Sequence, residues 1–129
     1  MILLDTHVLV WAVAQPKLLS KAASAAIARA HKADGIAISD VSLWELAMLM
    51  ERGRIQSFGT LPDSLRIFTE GVIIKPITPE IAAQSVQFSS PYPQDPADRL
   101  IGATARIEGL PLVTRDEKLR AHPQLQTIW

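Results

Sequence analysis

The alternation of short apolar runs with helically patterned segments predicts an α/β fold, with a mainly parallel central sheet of four to five strands and helices on both faces. Two further observations point the same way. The segments between the runs are long enough for crossover helices, which parallel neighbours require and hairpins do not. Helix starts are written with Ser, Thr or Asp, twice followed by Pro, and helix stops with Gly. Right-handed crossovers then cover both faces of the sheet.

Ile2 to Leu4 is an apolar strand that runs into Asp5-Thr6, after which Val8, Leu9, Trp11 and Ala12 recur at helical spacing until Pro16. Ser20 caps a second, Ala-rich helix reaching Ala30. Gly35 ends the connection, and Ile36 to Ile38 is the second strand. Val41 to Arg52 reads as a helix closed by Gly53, and Pro62 to Glu70 as another closed by Gly71. Val72-Ile73-Ile74 is the third strand, and Thr78-Pro79 opens a helix to Ser89. Ser89 to Gln94, with Pro91 and Pro93, is a stiff loop. Asp95-Pro96 opens the next helix, which runs to Glu108 and stops at Gly109. Pro111-Leu112-Val113 is the fourth strand, ending at Thr114-Arg115-Asp116; a short helical turn and an edge strand at Gln126 to Ile128 follow.

At 129 residues, 48% of them hydrophobic, the chain has room for one domain, 1-129, with a packed core. The absence of Cys excludes disulfide frameworks, thiolate zinc sites and cysteine nucleophiles, leaving carboxylates and imidazoles as metal ligands and favouring a hard cation. The N-terminal apolar run is broken by Asp5 and His7, and no stretch is long enough to span a bilayer, so a soluble, cytoplasmic protein without a membrane partner is expected. A net charge of zero is unusual for a polyanion binder. If four acids are neutralised by cations, however, the 13 basic residues outnumber the remaining acids by four.

In open parallel sheets, ligands sit outside the carboxyl ends of the strands. Asp5 follows the first strand and Asp116 the fourth; Glu45 lies in the first turns of the helix after the second strand, and Asp98 in the first turn of the helix leading to the fourth. Each has a plainer role available. Asp5 and Asp116 are possible helix caps, Asp95 and Asp98 a cap and a dipole partner, and Ser42 to Glu45 a capping box. Glu45 has Val41, Met48 and Leu49 one helical turn away, and a carboxylate so placed needs a partner. Four acids on one rim repel one another without a cation, and Mg²⁺ or Mn²⁺ takes carboxylate oxygens while keeping several waters. That chemistry suits phosphodiester hydrolysis by activated water and requires no His or Ser nucleophile. The competing reading is a module that docks RNA or a protein without turnover, although binding alone does not require mutually repelling acids. A receiver or phosphatase-like reading fails because Asp5-Thr6-His7 lacks a second acid and the third strand ends at Lys75-Pro76.

Four motifs occur in order: Leu3-Leu4-Asp5-Thr6-His7 with Trp11 soon after, Ser39-Asp40-Val41-Ser42-Leu43-Trp44-Glu45-Leu46, Asp95-Pro96-Ala97-Asp98-Arg99-Leu100-Ile101, and Val113-Thr114-Arg115-Asp116. Each is weak alone; together they are strongly specific. Over its whole length the chain resembles the PIN-domain ribonucleases and, among them, the VapC-type toxins of toxin–antitoxin pairs. The resemblance implies a PIN-like three-layer α/β/α domain in which Asp5, Glu45, Asp98 and Asp116 are the metal-binding and catalytic quartet. It also implies an outer acid at Asp95, support from Thr114, Mg²⁺ or Mn²⁺ as cofactor and endonucleolytic cleavage of RNA. The implied partners are a second copy in a homodimer and a cognate antitoxin whose tail lies over the active-site groove. Gly102 departs from the pattern, standing where many relatives carry Ala, and is expected to affect helix packing only.

Other residues are read more plainly. His7, on the first helical turn, is assigned a structural role, and His31 and His122 are placed on the surface. Trp11, Trp44 and the Met48 and Met50 pair are assigned to the core. Arg99 and Arg115 fit phosphate contacts and local charge balance equally well.

Overall fold

The strands are short, and successive residues of the three central ones point into opposite cores, as the two-residue period of a strand requires. The computed structural model describes residues 1–89, 92 and 94–129. Among the described residues it has five strands: β1 (Ile2–Leu4), β2 (Ile36–Ser39), β3 (Ile73–Lys75), β4 (Leu112–Val113) and β5 (Thr127–Ile128). The helices are α1 (Thr6–Ala14), α2 (Lys21–His31), α3 (Asp40–Glu51), α4 (Leu61–Phe68), α5 (Pro79–Gln87), α6 (Pro96–Glu108) and α7 (Glu117–Ala121). A 3₁₀ turn over Pro16–Leu18, not expected from the sequence, links α1 to α2. Of the expected stiff loop at Ser89 to Gln94, Ser90, Pro91 and Pro93 lie outside the described residues.

The sheet order is β3-β2-β1-β4-β5, and every pairing is parallel. Ile2, Leu4, Ile38 and Val113 face a core built with Val8, Leu9, Ala23, Ala26 and Leu46 from α1, α2 and α3. Leu3, Ala37 and Leu112 face the other way, onto Ile81, Ile101, Ala105 and Leu119 from α5, α6 and α7. This is the three-layer α/β/α arrangement. Leu3, Ile38, Leu112 and Val113 are fully buried, and each contributes about 1.5–3 kcal/mol relative to exposure.

Chain order reverses at β1, since β2 and β3 build outward on one side of it while β4 and β5 build on the other. The crevice between the ends of β1 and β4 is therefore a topological switch point, where such sheets form ligand sites. Helix ends deliver the chain to it. Asp5, Ser39, Asp95 and Asp116 cap α1, α3, α6 and α7 with their side chains, each satisfying an otherwise unpaired amide of a first turn. At the opposite end, Gly109 closes α6 in the left-handed region at φ 66°.

Several expectations need correction. Helix α3 starts at Asp40, two residues before Ser42, so Ser39 caps it and the Ser42–Glu45 capping box is not formed. Helix α4 begins at Leu61 with Thr60 as its cap. Trp44 is 59% exposed rather than in the core, whereas Met50 is buried. Periodicity marks that α3 has an apolar stripe, but the side chains that flank the stripe go to whichever side the neighbouring helices leave open. His122 is 3% exposed rather than on the surface, edge-on to the rings of Phe88 and Tyr92.

Candidate metal centre

Asp5 leaves β1 through its amide bond to the Val113 carbonyl, 3.0 Å, so the ends of β1 and β4 are tied together before any side chain is considered. Its carboxylate is then held at both oxygens. Oδ1 accepts from the Thr6 amide at 2.8 Å, and Oδ2 accepts from the Thr114 hydroxyl at 2.8 Å. The same Thr114 Oγ1 accepts from the Asp116 amide at 3.0 Å, while Asp116 Oδ1 caps α7 through the Leu119 amide at 2.9 Å. Thr114 thus bridges two acids and is itself fully buried.

Glu45 is half-buried on α3 and receives the Thr6 hydroxyl at 2.5 Å. Thr6 Oγ1 also lies 2.8 Å from Ser42 Oγ. A threonine hydroxyl has one proton to give, so with Glu45 accepting it, Ser42 is the donor to Thr6. This buried chain of hydroxyls locks α1 to α3 and aims Glu45 at the crevice. Asp98 enters from the first turn of α6, its amide donating to the capping Asp95 Oδ1 at 3.1 Å. Among the described residues nothing donates to the Asp98 carboxylate.

Asp5, Glu45, Asp98 and Asp116 line one cavity of about 480 Å³, with Asp95, Glu117, His7, Trp11 and Arg115. A second cavity of about 960 Å³ continues from it past Asp95, Asp98, Asp116 and Glu117 to Tyr92 and Lys118. Burial, and secondarily repulsion from Asp5, Asp95, Asp116 and Glu45, pushes the Asp98 carboxyl up to about 7. Burial likewise raises Asp5, against the opposing hydrogen bonds from Thr114 and Thr6, and raises Glu45 against its bond from Thr6. All-oxygen donors, three of them buried until their charged forms are disfavoured, fit a hard divalent cation. Among the described residues, no three of these groups close around a single point as the side chains stand. Such an ion would complete its coordination with water, as Mg²⁺ habitually does.

A model of the PIN domain matches residues 2–125. This chain belongs to the PIN domain family. It is 45% identical over 130 residues, covering 99% of this chain and 98% of the relative, to Ribonuclease VapC22 of Mycobacterium tuberculosis. The PIN fold is shared with VapBC2 from Rickettsia felis bound to a DNA fragment from its promoter, at TM-score 0.75 and 22% identity over 98% of this chain and 97% of that one. It is shared too with a toxin–antitoxin complex from Klebsiella pneumoniae, at 0.68 and 22% over 97% and 95%. FitAcB from Neisseria gonorrhoeae gives 0.67 and 21% over 98% and 96%.

The four acids expected from the sequence come together on the rim of this PIN domain, and Asp95 joins them. Thr114 supports Asp5, as expected. His7 is exposed and lines the cavity, so it is not the packed structural residue expected. The two arginines separate. Arg115 lines the cavity with its guanidinium 5.8 Å from the Trp11 ring, whereas Arg99 turns away to donate to the Ser85 carbonyl at 3.0 Å. Sequence reasoning missed Thr6 and Ser42. The available signal was a pair of small hydroxyl residues beside Asp5 and one turn before Glu45, in helices otherwise apolar on that face.

Proposed function

We propose that this chain is a Mg²⁺- or Mn²⁺-dependent endoribonuclease, the toxin of a toxin–antitoxin pair, in which Asp5, Glu45, Asp98 and Asp116 hold the metal. The observation that carries the reading is the convergence of these carboxylates on one cavity at the β1–β4 switch point. The relative named as a ribonuclease supports it, being 45% identical over nearly the whole chain.

When bound, the cation supplies Lewis-acid charge neutralisation and an acidified water for in-line attack on the phosphodiester. Asp5, fixed at both oxygens, is the rigid member of the set. Asp98, whose charged form burial and the neighbouring acids disfavour in the metal-free protein, is the member whose charge the cation relieves. Arg115 brings positive charge to the same cavity, where it can meet a phosphate flanking the cleaved one. Trp11, partly exposed beside it, offers a face on which an unpaired base can stack.

A third, largely apolar groove of about 650 Å³ begins at His7 and Trp11 and runs along α1 and α4 past Phe58, Ile67 and Phe68. Phe58 and Ile67 are 58% and 59% exposed. Because this groove opens into the acidic cavity through shared residues, an antitoxin segment seated on it can reach the site. The structural neighbours that are toxin–antitoxin complexes support such a partner. A homodimer belongs to the same reading.

Labelled RNA incubated with wild type and Asp98→Asn, with and without EDTA, tests the proposal. Cleavage by wild type alone, abolished by EDTA, is expected. RNA that is bound and left intact by wild type in either metal would establish the binding-module reading instead.

A further inference from the structure

Gly102 sits in the middle of α6, where glycine is unfavourable relative to alanine. Its backbone is helical, so no positive φ explains it. The reason is Tyr92. A Cβ added at Gly102 would stand 1.7 Å from the Tyr92 hydroxyl oxygen and 3.0 Å from Cζ. The hydroxyl occupies the place of the missing side chain and donates to the main-chain carbonyl of Asp98 at 3.0 Å. That carbonyl is also the acceptor one turn before Gly102 in the helical ladder, so Tyr92 adds a second donor to the turn that carries Asp98.

The ring is fixed before it reaches α6. Tyr92 is 6% exposed, stacks on Phe88 with centroids 4.0 Å apart and planes at 4°, and meets His122 edge-on at 4.9 Å. His122 is held in turn by Ser89 and Gln124. Burial, followed by the nearby Asp98 charge, lifts the Tyr92 hydroxyl well above the ordinary tyrosine value, so it remains a donor. The helix does not need this bond to begin or end, since Asp95 caps α6 and Gly109 closes it. Among the described residues, moreover, the Asp98 carboxylate has no donor of its own. Its place in the cavity is set by the backbone of its turn.

We propose that Tyr92 and Gly102 form a matched pair of positioning residues that set the turn of α6 from which Asp98 reaches the metal site. The inference rests on the reading of Asp98 as a metal-binding acid. Neither residue is catalytic, because the hydroxyl is spent on the helix.

Titration of the purified protein with Mn²⁺ alone, followed by calorimetry and by melting temperature, tests it without RNA. Tyr92→Phe removes the hydroxyl and keeps the stacked ring. It is expected to melt near wild type in EDTA while binding Mn²⁺ roughly three- to tenfold more weakly. Gly102→Ala is expected to weaken Mn²⁺ binding as well, and to destabilise the fold less in the Tyr92→Phe background, where the nearest clash is gone. Asp98→Asn separates the two ideas. If it leaves Mn²⁺ affinity unchanged, the metal reading of Asp98 falls and takes the pair with it. If it weakens binding while Tyr92→Phe does not, the positioning role alone is overturned.

Discussion

Asp5 and Asp98 line the same cavity and are provided for in opposite ways. Asp5, at the end of β1, is almost fully buried, and both its oxygens accept hydrogen bonds, from Thr6 and Thr114. Asp98, at the start of α6, is more open, receives no donor to its carboxylate among the described residues, and is lifted to about 7. One acid is an anchor paid in hydrogen bonds; the other is left with a poorly solvated charge and unrelieved repulsion that a proton or a cation removes. A metal site needs both kinds, since preorganised ligands fix geometry while uncompensated charge supplies affinity.

The largest expected effect ignores the difference. Asp5→Asn and Asp98→Asn should each reduce RNA cleavage more than about a hundredfold, beyond what loss of a supporting group costs, as read by initial rates on labelled RNA with a circular-dichroism check of folding. Near-normal cleavage by either folded variant would remove that acid from the site.

Metal binding should then expose the contrast. At a concentration about 100 times its dissociation constant, a ligand specific to the folded state contributes roughly 2.7 kcal/mol. Mg²⁺ or Mn²⁺ should raise the wild-type melting temperature clearly and the Asp98→Asn midpoint much less. In EDTA the order reverses, with Asp98→Asn melting above wild type because one repelling charge is gone. A wild type indifferent to both metals would mean that the acids share no cation.

The anchor can be broken without touching an acid. Thr114→Val removes the donor to Asp5 and the acceptor for the Asp116 amide, leaving one buried and one part-buried polar group unpaired. A loss of about 1–3 kcal/mol in urea denaturation is expected; wild-type stability would show that water replaces both bonds.

The smallest effect is the pH dependence of the metal-free protein. Asp98 rises from 3.8 to about 7 on folding, so between those values the folded state holds more protons than the unfolded one, and stability falls as pH rises through that window. Above about pH 7 both states are ionised and the contribution is flat. Asp5 and Glu45 shift in the same direction. Melting temperatures in EDTA should therefore decline from pH 5.5 to pH 8, less steeply in Asp98→Asn; a slope identical in the two proteins would assign the titration to other groups.

The sequence by itself determined the order of strands and helices, offered caps at Asp5, Asp95 and Asp116, and by chain order brought Asp5, Glu45 and Asp116 to one rim with which Asp98 is compatible. Those features are written in local signals: a cap bonds an amide two or three residues on, a strand alternates every residue, and chain order in a parallel sheet fixes which ends share an edge. Tertiary structure decided what local signals cannot carry. Thr6 meets Ser42 and Glu45 across 36 and 39 residues, and Thr114 meets Asp5 across 109. His122 is buried because Phe88 and Tyr92 close over it, while Trp44, on the same helix as the buried Leu46 and Met50, is 59% exposed. Gly102 reads in sequence as a minor packing change and in three dimensions as the seat of the Tyr92 hydroxyl. In each case the partner is chosen by how helices pack across the sheet, and a hydroxyl, a ring or a missing methyl acquires its meaning only when that partner is in place.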